Sequence, residues 1–310
     1  MRCLVTGASG FLGSWLVRRL LLHGHSVAGL VRVNSDLWRL EDHLAGIEIL
    51  HGTLEDTDGM RAALRGHCFD AVFHLAWSGV TAEFRNHPAQ LSVNVIGTIR
   101  LWEFAEASGC KHWIGVGSQA EYGICDRVLT EDLPARPVTA YGVAKLASGM
   151  LTEKMAECVG TRHTWLRLLS SYGPGDDERH MIPTVIRSLL RRERPSISKG
   201  EQLWDYLYVE DAAEALCQVL HTGASGIFNL SSGRATTIRA LVEMIRDEID
   251  PGLPIGFGEV PYRTDQVMRL EGDISRITSA TGWKPAVDIR DGLRRTVESY
   301  RTQLRECGAR

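Results

Sequence analysis

Three polar residues are spaced so that a fold can bring them together for proton transfer. Tyr141 and Lys145 stand four positions apart, and residues at i and i+4 project from one face of a helix. A free phenol has a pKa of about 10, and a nearby ammonium lowers that value towards neutrality. Ser118 follows an apolar run, and its hydroxyl can bind a substrate carbonyl or alkoxide. Ser118, Tyr141 and Lys145 are therefore candidate catalytic residues, and the alternatives are a chance surface Tyr–Lys pair and a serine that belongs to a turn.

A glycine-rich segment near the start of the chain predicts a second binding site. It reads Thr-Gly-Ala-Ser-Gly-Phe-Leu-Gly, lies after an apolar run and precedes a helical pattern. Such a turn brings backbone N–H groups and a helix N-terminus close to a pyrophosphate. A tight turn without a ligand is the alternative, but the strand–turn–helix context favours a dinucleotide. The residues expected to contact it are Gly7, Ser9, Gly10, Phe11, Leu12 and Gly13.

The end of the second apolar run bears on which dinucleotide is bound. An acidic residue there would accept hydrogen bonds from the adenosine ribose and favour NAD. This chain has Val31 and then Arg32, whose guanidinium can hold a 2′-phosphate. NADP(H) is therefore preferred, with NAD(H) possible. Further cofactor contacts are expected at later strand ends, from Thr53, Leu54, Leu75, Ala76 and Trp77, with Tyr141 and Lys145 at the nicotinamide; His74 is expected to be packed rather than catalytic.

The elements that must position these residues alternate along the first part of the chain. Apolar runs predict strands at 2–6, 26–32, 47–51, 70–75, 112–117 and 163–169. Helical patterns lie near 11–23, 56–66, 88–108 and 138–159, with Gly24 and Gly109 expected to close the first and third. This alternation predicts an α/β fold, a Rossmann-type doubly wound parallel sheet.

After residue 170 the predicted elements become shorter and prolines more frequent, which indicates a second, smaller α/β domain that binds substrate. Helical patterns there lie near 181–192, 210–221, 237–248 and 288–305. We expect residues 1–170 to form the dinucleotide-binding domain, with 204–230 returning to it. Residues 171–203 and 231–310 are expected to form the substrate-binding domain.

Composition excludes several other functions. The net charge is −3 and no long basic block occurs, so nucleic-acid binding is not indicated. No apolar run reaches the ~18 residues of a membrane span. The seven cysteines are scattered without a CxxC pair, which argues against a disulfide framework or a metal site and fits a cytoplasmic protein.

Several further motifs carry a resemblance to a known family over nearly the whole chain. Asn94 lies in Asn-Val-Ile-Gly-Thr, Arg167-Leu168 is followed by Tyr-Gly-Pro-Gly, Asp205 begins Asp-Tyr-Leu-Tyr-Val-Glu-Asp, and Gly282 begins Gly-Trp-Lys-Pro. Together with the glycine-rich turn, Ser118 and Tyr-x-x-x-Lys, they resemble the extended short-chain dehydrogenase/reductases of the NAD(P)-dependent epimerase/dehydratase family. The resemblance implies that Tyr141 is the acid/base, that Lys145 holds the nicotinamide ribose and tunes Tyr141, and that Ser118 orients the reacting oxygen.

The same resemblance limits the type of reaction that the chain is expected to catalyse. Members that dehydrate hexoses carry Asp-Glu directly after the Ser or Thr, whereas this chain has Gln119 and Ala120, which cannot protonate a leaving hydroxyl. Glu121 lies one position further and is expected to be a loop acid. Gly-Ser-x-x-Glu-Tyr-Gly with Tyr-Gly-Val-x-Lys looks like GDP-4-keto-6-deoxy-mannose reductases. We expect NADPH-dependent reduction of a 4-keto-6-deoxy sugar nucleotide; an NAD-dependent epimerase and a non-catalytic NAD(P) sensor are the alternatives.

The expected partner is a nucleotide-diphosphate sugar in the cleft between the domains. Arg263 suits a diphosphate, whereas Trp204 stands where the family often has Arg and Ser170 where many members have Asn. Family members also dimerise through two long helices, which correspond to 88–108 and 138–159. The residues expected to bind substrate are Gln119, Ala120, Ser170, His180, Lys199, Trp204 and Arg263.

Overall fold

The computed structural model describes residues 1–263 and 266–308, and the alternation predicted from the sequence is present. The strands are β1 Arg2–Thr6, β2 Ser26–Val31, β3 Ile47–His51, β4 Ala71–His74, β5 His112–Ser118, β6 Arg162–Leu168, β7 Ser171–Tyr172, β8 Ser196–Ile197, β9 Leu203–Asp205, β10 Leu207–Tyr208, β11 Gly226–Leu230, β12 Ala235–Thr237, β13 Gly256–Phe257 and β14 Arg269–Leu270. The helices are α1 Phe11–Leu22, α2 Thr57–Leu64, α3 Ile96–Ala107, α4 Ala140–Val159, α5 Met181–Leu190, α6 Val209–Thr222, α7 Ile238–Ile249, α8 Ser275–Thr281 and α9 Ile289–Gly308.

The main sheet has seven strands in the order β3-β2-β1-β4-β5-β6-β11, and every pairing in it is parallel. Strand order reverses between β1 and β4, which is where a doubly wound sheet opens a crevice at its carboxyl edge. The Rossmann-type fold class is therefore confirmed. The chain leaves this sheet after β6 and returns to it through α6 and β11.

Alternate residues of the buried strands supply two hydrophobic cores. Val5 of β1 packs with α1 and α6 on one face, whereas its neighbour Leu4 packs with α2 and α3 on the other. Both faces are covered, so these strands are apolar throughout rather than alternating. Gly24 and Gly109 adopt the left-handed conformation just after α1 and α3, as predicted for helix-closing glycines.

The helix predicted near 88–108 differs from the expectation at its start. Residues Gln90–Val95 form a π-helix, and α3 begins only at Ile96. The buried amides of Gln90 and Asn94 bind the loop that follows β4. Gln90 Nε2 donates to Gly79 O at 2.7 Å and Asn94 Nδ2 to Ser78 O at 2.9 Å. These side chains tie the start of the helix to the edge of the crevice.

The C-terminal part packs α5, α7 and α9 around a third core that includes Ile186, Leu241 and Val297. Beside it lies a small sheet in the order β12-β9-β14. These strands of two or three residues, and α8, were not predicted, because segments so short show no periodicity. Among the described helices, none combines the length and apolarity that crossing a bilayer requires.

A buried carboxylate clamps this small sheet to the main one. Asp205 of β9 is fully buried and accepts hydrogen bonds from Ser232 N at 2.8 Å, Ser232 Oγ at 2.5 Å, Gly233 N at 3.0 Å and Gly272 N at 3.3 Å. The loop after β11 and the segment after β14 are thereby held at one point.

We predict that Asp205→Ala lowers the free energy of unfolding by about 3 kcal/mol, because several buried donors lose their acceptor. Ser232→Ala, which removes one of these donors, is expected to cost only about 1 kcal/mol. Urea unfolding with an unchanged slope measures both. A loss below 1 kcal/mol for Asp205→Ala would show that the clamp is dispensable.

Candidate active site

A cleft of about 450 Å³ opens at the carboxyl edge of the main sheet, where the chain crosses from β1 to α1. Most residues predicted to contact the cofactor line it, namely Gly7, Ser9, Gly10, Arg32, Thr53, Leu54, Leu75, Ala76 and Trp77. Phe11, Leu12 and Gly13 are not among its lining residues. Leu12 packs against the core on the α1 side instead.

The glycine-rich turn has the close backbone packing that its sequence indicates. Gly7 has φ +70°, and a Cβ on Gly13 would lie 2.1 Å from Gly7 O. Helix α1 starts after Gly10 with no side chain capping its first amides. No side chain therefore satisfies these N–H groups, which lie at the positive end of the helix dipole.

His74 fixes the floor of the cleft through a chain of buried hydrogen bonds. Thr98 Oγ1 donates to Asn94 O at 2.7 Å, so it accepts from His74 Nε2 at 2.8 Å. His74 Nδ1 then accepts from Thr6 Oγ1 at 3.0 Å, and Thr6 Oγ1 accepts from the amides of Leu75 and Ala76 at 3.1 Å each. Burial lowers the pKa of His74 to about 3, which keeps the ring neutral. The expectation of a packed histidine is confirmed.

The Ser118 loop and the start of α4 approach each other very closely. Ser118 ends β5 and caps a single 3₁₀ turn, and Thr139 caps α4 by accepting a hydrogen bond from Gly142 N at 3.1 Å. A Cβ on Gly142 would lie only 2.4 Å from Ala120 O, so glycine is required at that contact. This approach brings Tyr141 next to the Ser118 loop, and the Ser118 hydroxyl acts to lower the pKa of the phenol.

Tyr141 is half-buried beside the cleft-lining Trp77. Its ring meets Trp77 edge-on, with the centroids 6.0 Å apart. Burial raises the pKa of the Tyr141 phenol, while the Ser118 hydrogen bond and the positive charge of Arg85 act to lower it. The charge of Glu121 raises it further.

Lys145 is buried one helical turn from Tyr141. Its Nζ donates to Val116 O at 2.7 Å and lies 3.8 Å from the centroid of the Trp77 ring. Burial lowers the pKa of Lys145 to about 7, and the charge of Glu121 opposes this. The structure thus brings Ser118, Tyr141 and Lys145 together beside the cleft-lining Trp77.

Glu121 was expected to be a loop acid, and that expectation is wrong. Its side chain is fully buried and accepts hydrogen bonds from Ser118 N at 2.8 Å, Trp165 Nε1 at 3.0 Å and Arg167 Nε at 2.8 Å. The carboxylate and the Arg167 guanidinium form a buried ion pair. Glu121 therefore fixes the loop that carries Ser118.

The residues predicted to bind substrate are only partly brought together. Gln119 and Ala120 form the 3₁₀ turn beside Tyr141, half-buried. Ser170 and Trp204 bind each other, with Trp204 Nε1 donating to Ser170 Oγ at 2.8 Å. This indole also packs between two hydrophobic clusters, so contacts within the protein fix its position without a ligand.

The remaining predicted substrate residues lie further out. His180 precedes α5, and its Nδ1 is 2.8 Å from the carboxylate of Asp176, whose hydrogen bond raises the pKa of the imidazole. Lys199 is exposed, lies near Gly258 and does not line the cleft. Arg263 is exposed just before residues 264 and 265, which lie outside the described part of the chain.

Two arginines at the mouth of the cleft were not predicted. Arg179, from the loop before α5, lines the cleft and binds Asp177, with Nε 2.9 Å from Oδ1. Arg85, from the loop after β4, lies over the Tyr141 ring at 5.9 Å. Both arginines belong to irregular loops, whose sequences have no periodicity from which the direction of a side chain could be predicted. Their only signal in the sequence was a positive charge in a loop near the end of a strand.

Comparison with known proteins agrees with this geometry. UDP-glucose 4-epimerase of Mycolicibacterium smegmatis is 30% identical over 318 residues, which cover 98% of this chain and 99% of the relative. GDP-6-deoxy-D-mannose reductase of Pseudomonas aeruginosa is 28% identical over 317 residues, which cover 98% of this chain and 99% of that protein. The crystal structure of UDP-glucose 4-epimerase with UDP-glucose from Thermotoga maritima superposes with a TM-score of 0.90 at 29% identity, covering 98% of this chain and 100% of that one.

The family comparison matches residues 3–231 to the NAD dependent epimerase/dehydratase family. That segment is most of the chain, and it contains the glycine-rich turn, Ser118, Tyr141 and Lys145. The resemblance read from the sequence is thus confirmed, and the chain belongs to the NAD dependent epimerase/dehydratase family.

Proposed function

We propose that the protein reduces the 4-keto group of a nucleotide-diphosphate 4-keto-6-deoxy sugar with NADPH. The observation that carries the proposal is the close packing of the Ser118 loop on the start of α4, with Tyr141 and buried Lys145 lying against Trp77 of the dinucleotide cleft. A hydroxyl and a phenol in contact can bind one carbonyl oxygen together, and the phenol can donate a proton to it.

The cleft fits a dinucleotide. Helix α1 packs so closely on the turn that Gly13 has no room for a Cβ beside Gly7 O, and the uncapped amides at the start of α1 suit a pyrophosphate approaching the backbone. When bound, the nicotinamide supplies the hydride that the sugar carbon receives. Gly7, Ser9 and Gly10 would hold the pyrophosphate, and Lys145 would hold the nicotinamide ribose.

The chain's own residues account for the proton. Tyr141 donates its phenolic proton to the keto oxygen, which becomes the new hydroxyl, and the phenolate recovers a proton from solvent. Ser118 holds the same oxygen in place. Lys145, with its pKa lowered to about 7 by burial, is a hydrogen-bond donor at neutral pH in both of its protonation states.

The acid and base that a dehydration needs are missing from the Ser118 loop. Gln119 and Ala120 occupy the two positions after Ser118, and the carboxylate of Glu121 is buried against Arg167 and Trp165. A carboxylate so engaged is unable to reach a substrate hydroxyl. This favours reduction over elimination among the reactions of the family.

A 4-epimerase with bound NAD is the second candidate. It needs the same three catalytic residues, and relatives named UDP-glucose 4-epimerase match the chain over almost its full length. The Ser170–Trp204 pair sets this chain apart from many members of the family, because it places an indole at the position where they often have arginine. A non-catalytic sensor is a weaker candidate, since Tyr141 and Lys145 both lie against Trp77 of the cleft and the Ser118 loop packs on the start of α4.

We also propose the domain division expected from the sequence, with residues 1–170 and 204–230 binding the dinucleotide and the remainder binding the sugar nucleotide. The return of α6 and β11 to the main sheet supports this division from residue 209 onward, whereas β9, at Leu203–Asp205, pairs with β12 and β14 in the small sheet. Among the substrate residues, Gln119 and Ala120 next to Tyr141 have the best geometric support.

Mixing the protein with NADPH and a 4-keto-6-deoxy sugar nucleotide distinguishes the candidates. A reductase consumes NADPH in proportion to substrate, an epimerase interconverts UDP-glucose and UDP-galactose without net consumption of NADPH, and a sensor only binds NADPH.

We predict that Tyr141→Phe reduces turnover by about 10²–10⁴-fold, because the general acid is lost, while the Kd for NADPH stays within about twofold.

Tyr300→Phe makes the same chemical change on α9, where the phenol only approaches Asp176 O at 3.3 Å, and it should leave turnover unchanged. Turnover of Tyr141→Phe close to that of the unmodified protein would exclude Tyr141 as the proton donor.

The preference for NADPH rests on the adenosine end of the cleft, where Val31, Arg32 and Ser35 line the wall. We predict that Arg32→Ala raises the Kd for NADPH about tenfold and the Kd for NADH less than twofold, since only NADPH has a 2′-phosphate for the guanidinium. Arg65→Ala removes an exposed arginine outside the cleft and serves as the control. Equal weakening of both cofactors would remove the argument for NADPH.

A homodimer through the predicted helices 88–108 and 138–159 is proposed from their exposed apolar residues. Leu91, Val143, Met150 and Leu151 are between 42% and 64% exposed along these helices. An unpaired apolar surface of this kind is typical of an interface.

We predict that Met150→Glu converts the dimer to a monomer at micromolar concentration, because a charge cannot be buried in that surface without a partner. Light scattering measures the mass. Leu22→Glu, at a leucine that is 76% exposed on α1, should leave the dimer intact. A monomeric unmodified protein would contradict the proposal.

A further inference from the structure

The loop between β4 and the π-helix is fastened to the first turn of α4. Tyr141 N donates to Arg85 O at 2.8 Å, and Ala140 N donates to Asn86 Oδ1 at 2.9 Å. Two amides at the start of the helix are thereby satisfied by neighbouring loop residues. Arg85 is held by its backbone against the residue whose ring it covers.

Among the described residues, the Arg85 side chain has no competing partner of opposite charge. Its guanidinium lies 5.9 Å from the centroid of the Tyr141 ring and is half-buried. Nε makes one long contact, with Val80 O at 3.5 Å, and within residues 1–263 and 266–308 the guanidinium pairs with no carboxylate. Its charge is therefore free to act on the phenol.

The ammonium of Lys145 has contacts of its own. Its Nζ is engaged with Val116 O at 2.7 Å and lies over the face of Trp77 at 3.8 Å. The ammonium is also fully desolvated, which weakens its hold on a proton. The resemblance to the family assigns Lys145 to tuning Tyr141, and the positive charge of Arg85 acts on the same phenol.

We infer that Arg85 is a positioning residue that acts together with Lys145 to stabilise the phenolate of Tyr141 electrostatically. The inference deepens the proposed function and rests on Tyr141 being its acid/base. The sequence pattern assigns the stabilisation of the phenolate to a residue of α4 alone. The inference shares that role between α4 and the loop after β4.

The groups that face Tyr141 from its surroundings are consistent with this division. Ser118, at the end of β5, contributes a neutral hydrogen bond, and Arg85, from the loop, contributes a positive charge; both lower the pKa of the phenol that burial raises. Glu121, in the 3₁₀ turn, acts in the opposite direction, although its carboxylate is paired with Arg167. Lys145, on α4, is the remaining charged group within one turn.

The test is the titration of Tyr141 in the NADP-loaded protein, followed by near-ultraviolet difference absorbance against Tyr141→Phe. In Arg85→Gln we expect the midpoint of this tyrosine to rise by about one pH unit, because a positive charge 5.9 Å from the centroid of its ring is removed. Arg85→Lys should restore most of the difference, and Arg65→Gln should show none. The backbone contacts of Arg85 do not use its side chain, so the loop is expected to keep its place.

Turnover supplies a second readout. Stabilising the phenolate matters most in the oxidative direction, so Arg85→Gln should lower oxidation of the alcohol product about tenfold at neutral pH and shift the pH profile of kcat upward. An unchanged midpoint in Arg85→Gln, or an equal rise in Arg65→Gln, would overturn the inference. If no 4-keto sugar nucleotide is turned over, the proposed function fails, whereas the titration still decides the role of Arg85.

Discussion

The buried carboxylate of Glu121 is the interaction on which the geometry of the site depends. A charge removed from water is tolerated only where it is paired and hydrogen-bonded, and Glu121 meets Arg167 and Trp165 of β6 together with the amide of Ser118. The loop after β5 is therefore fastened to the neighbouring strand. Without that attachment the hydroxyl of Ser118 would have no fixed position relative to Tyr141.

Three glycines let the sheet and α4 come close enough to use this arrangement. Trp165 lies over β5, and a Cβ at Gly115 or Gly117 would approach its ring atoms to 2.3 Å. On the helix side, a Cβ at Gly149 would lie 2.8 Å from the same indole. The large ring thus fills space that glycines leave on both elements. Lys145 can then reach a carbonyl of β5 from a helix packed directly on the sheet.

The sequence was a good guide to local features and a poor one to pairings between distant residues. The glycine-rich turn, the strand–helix alternation and the residues along the cleft follow from patterns within short segments. Glu121 was misread because its partner Arg167 lies 46 residues later, on a strand whose neighbour is fixed only by sheet order. Ser170 and Trp204, 34 residues apart, were each treated singly although they bind each other. Arg85 escaped notice because a loop has no periodicity that would place its side chain.

Gly142 carries a consequence for how such sites are recognised in other chains. Tyr-x-x-x-Lys is a loose pattern that many unrelated helices contain by accident. The contact of Gly142 with the carbonyl of Ala120 leaves no room for any larger residue directly after the tyrosine. Where a serine-bearing turn packs on the helix in this way, a sequence search that requires glycine directly after the tyrosine should discard most accidental matches. The reason is steric and is independent of proton transfer.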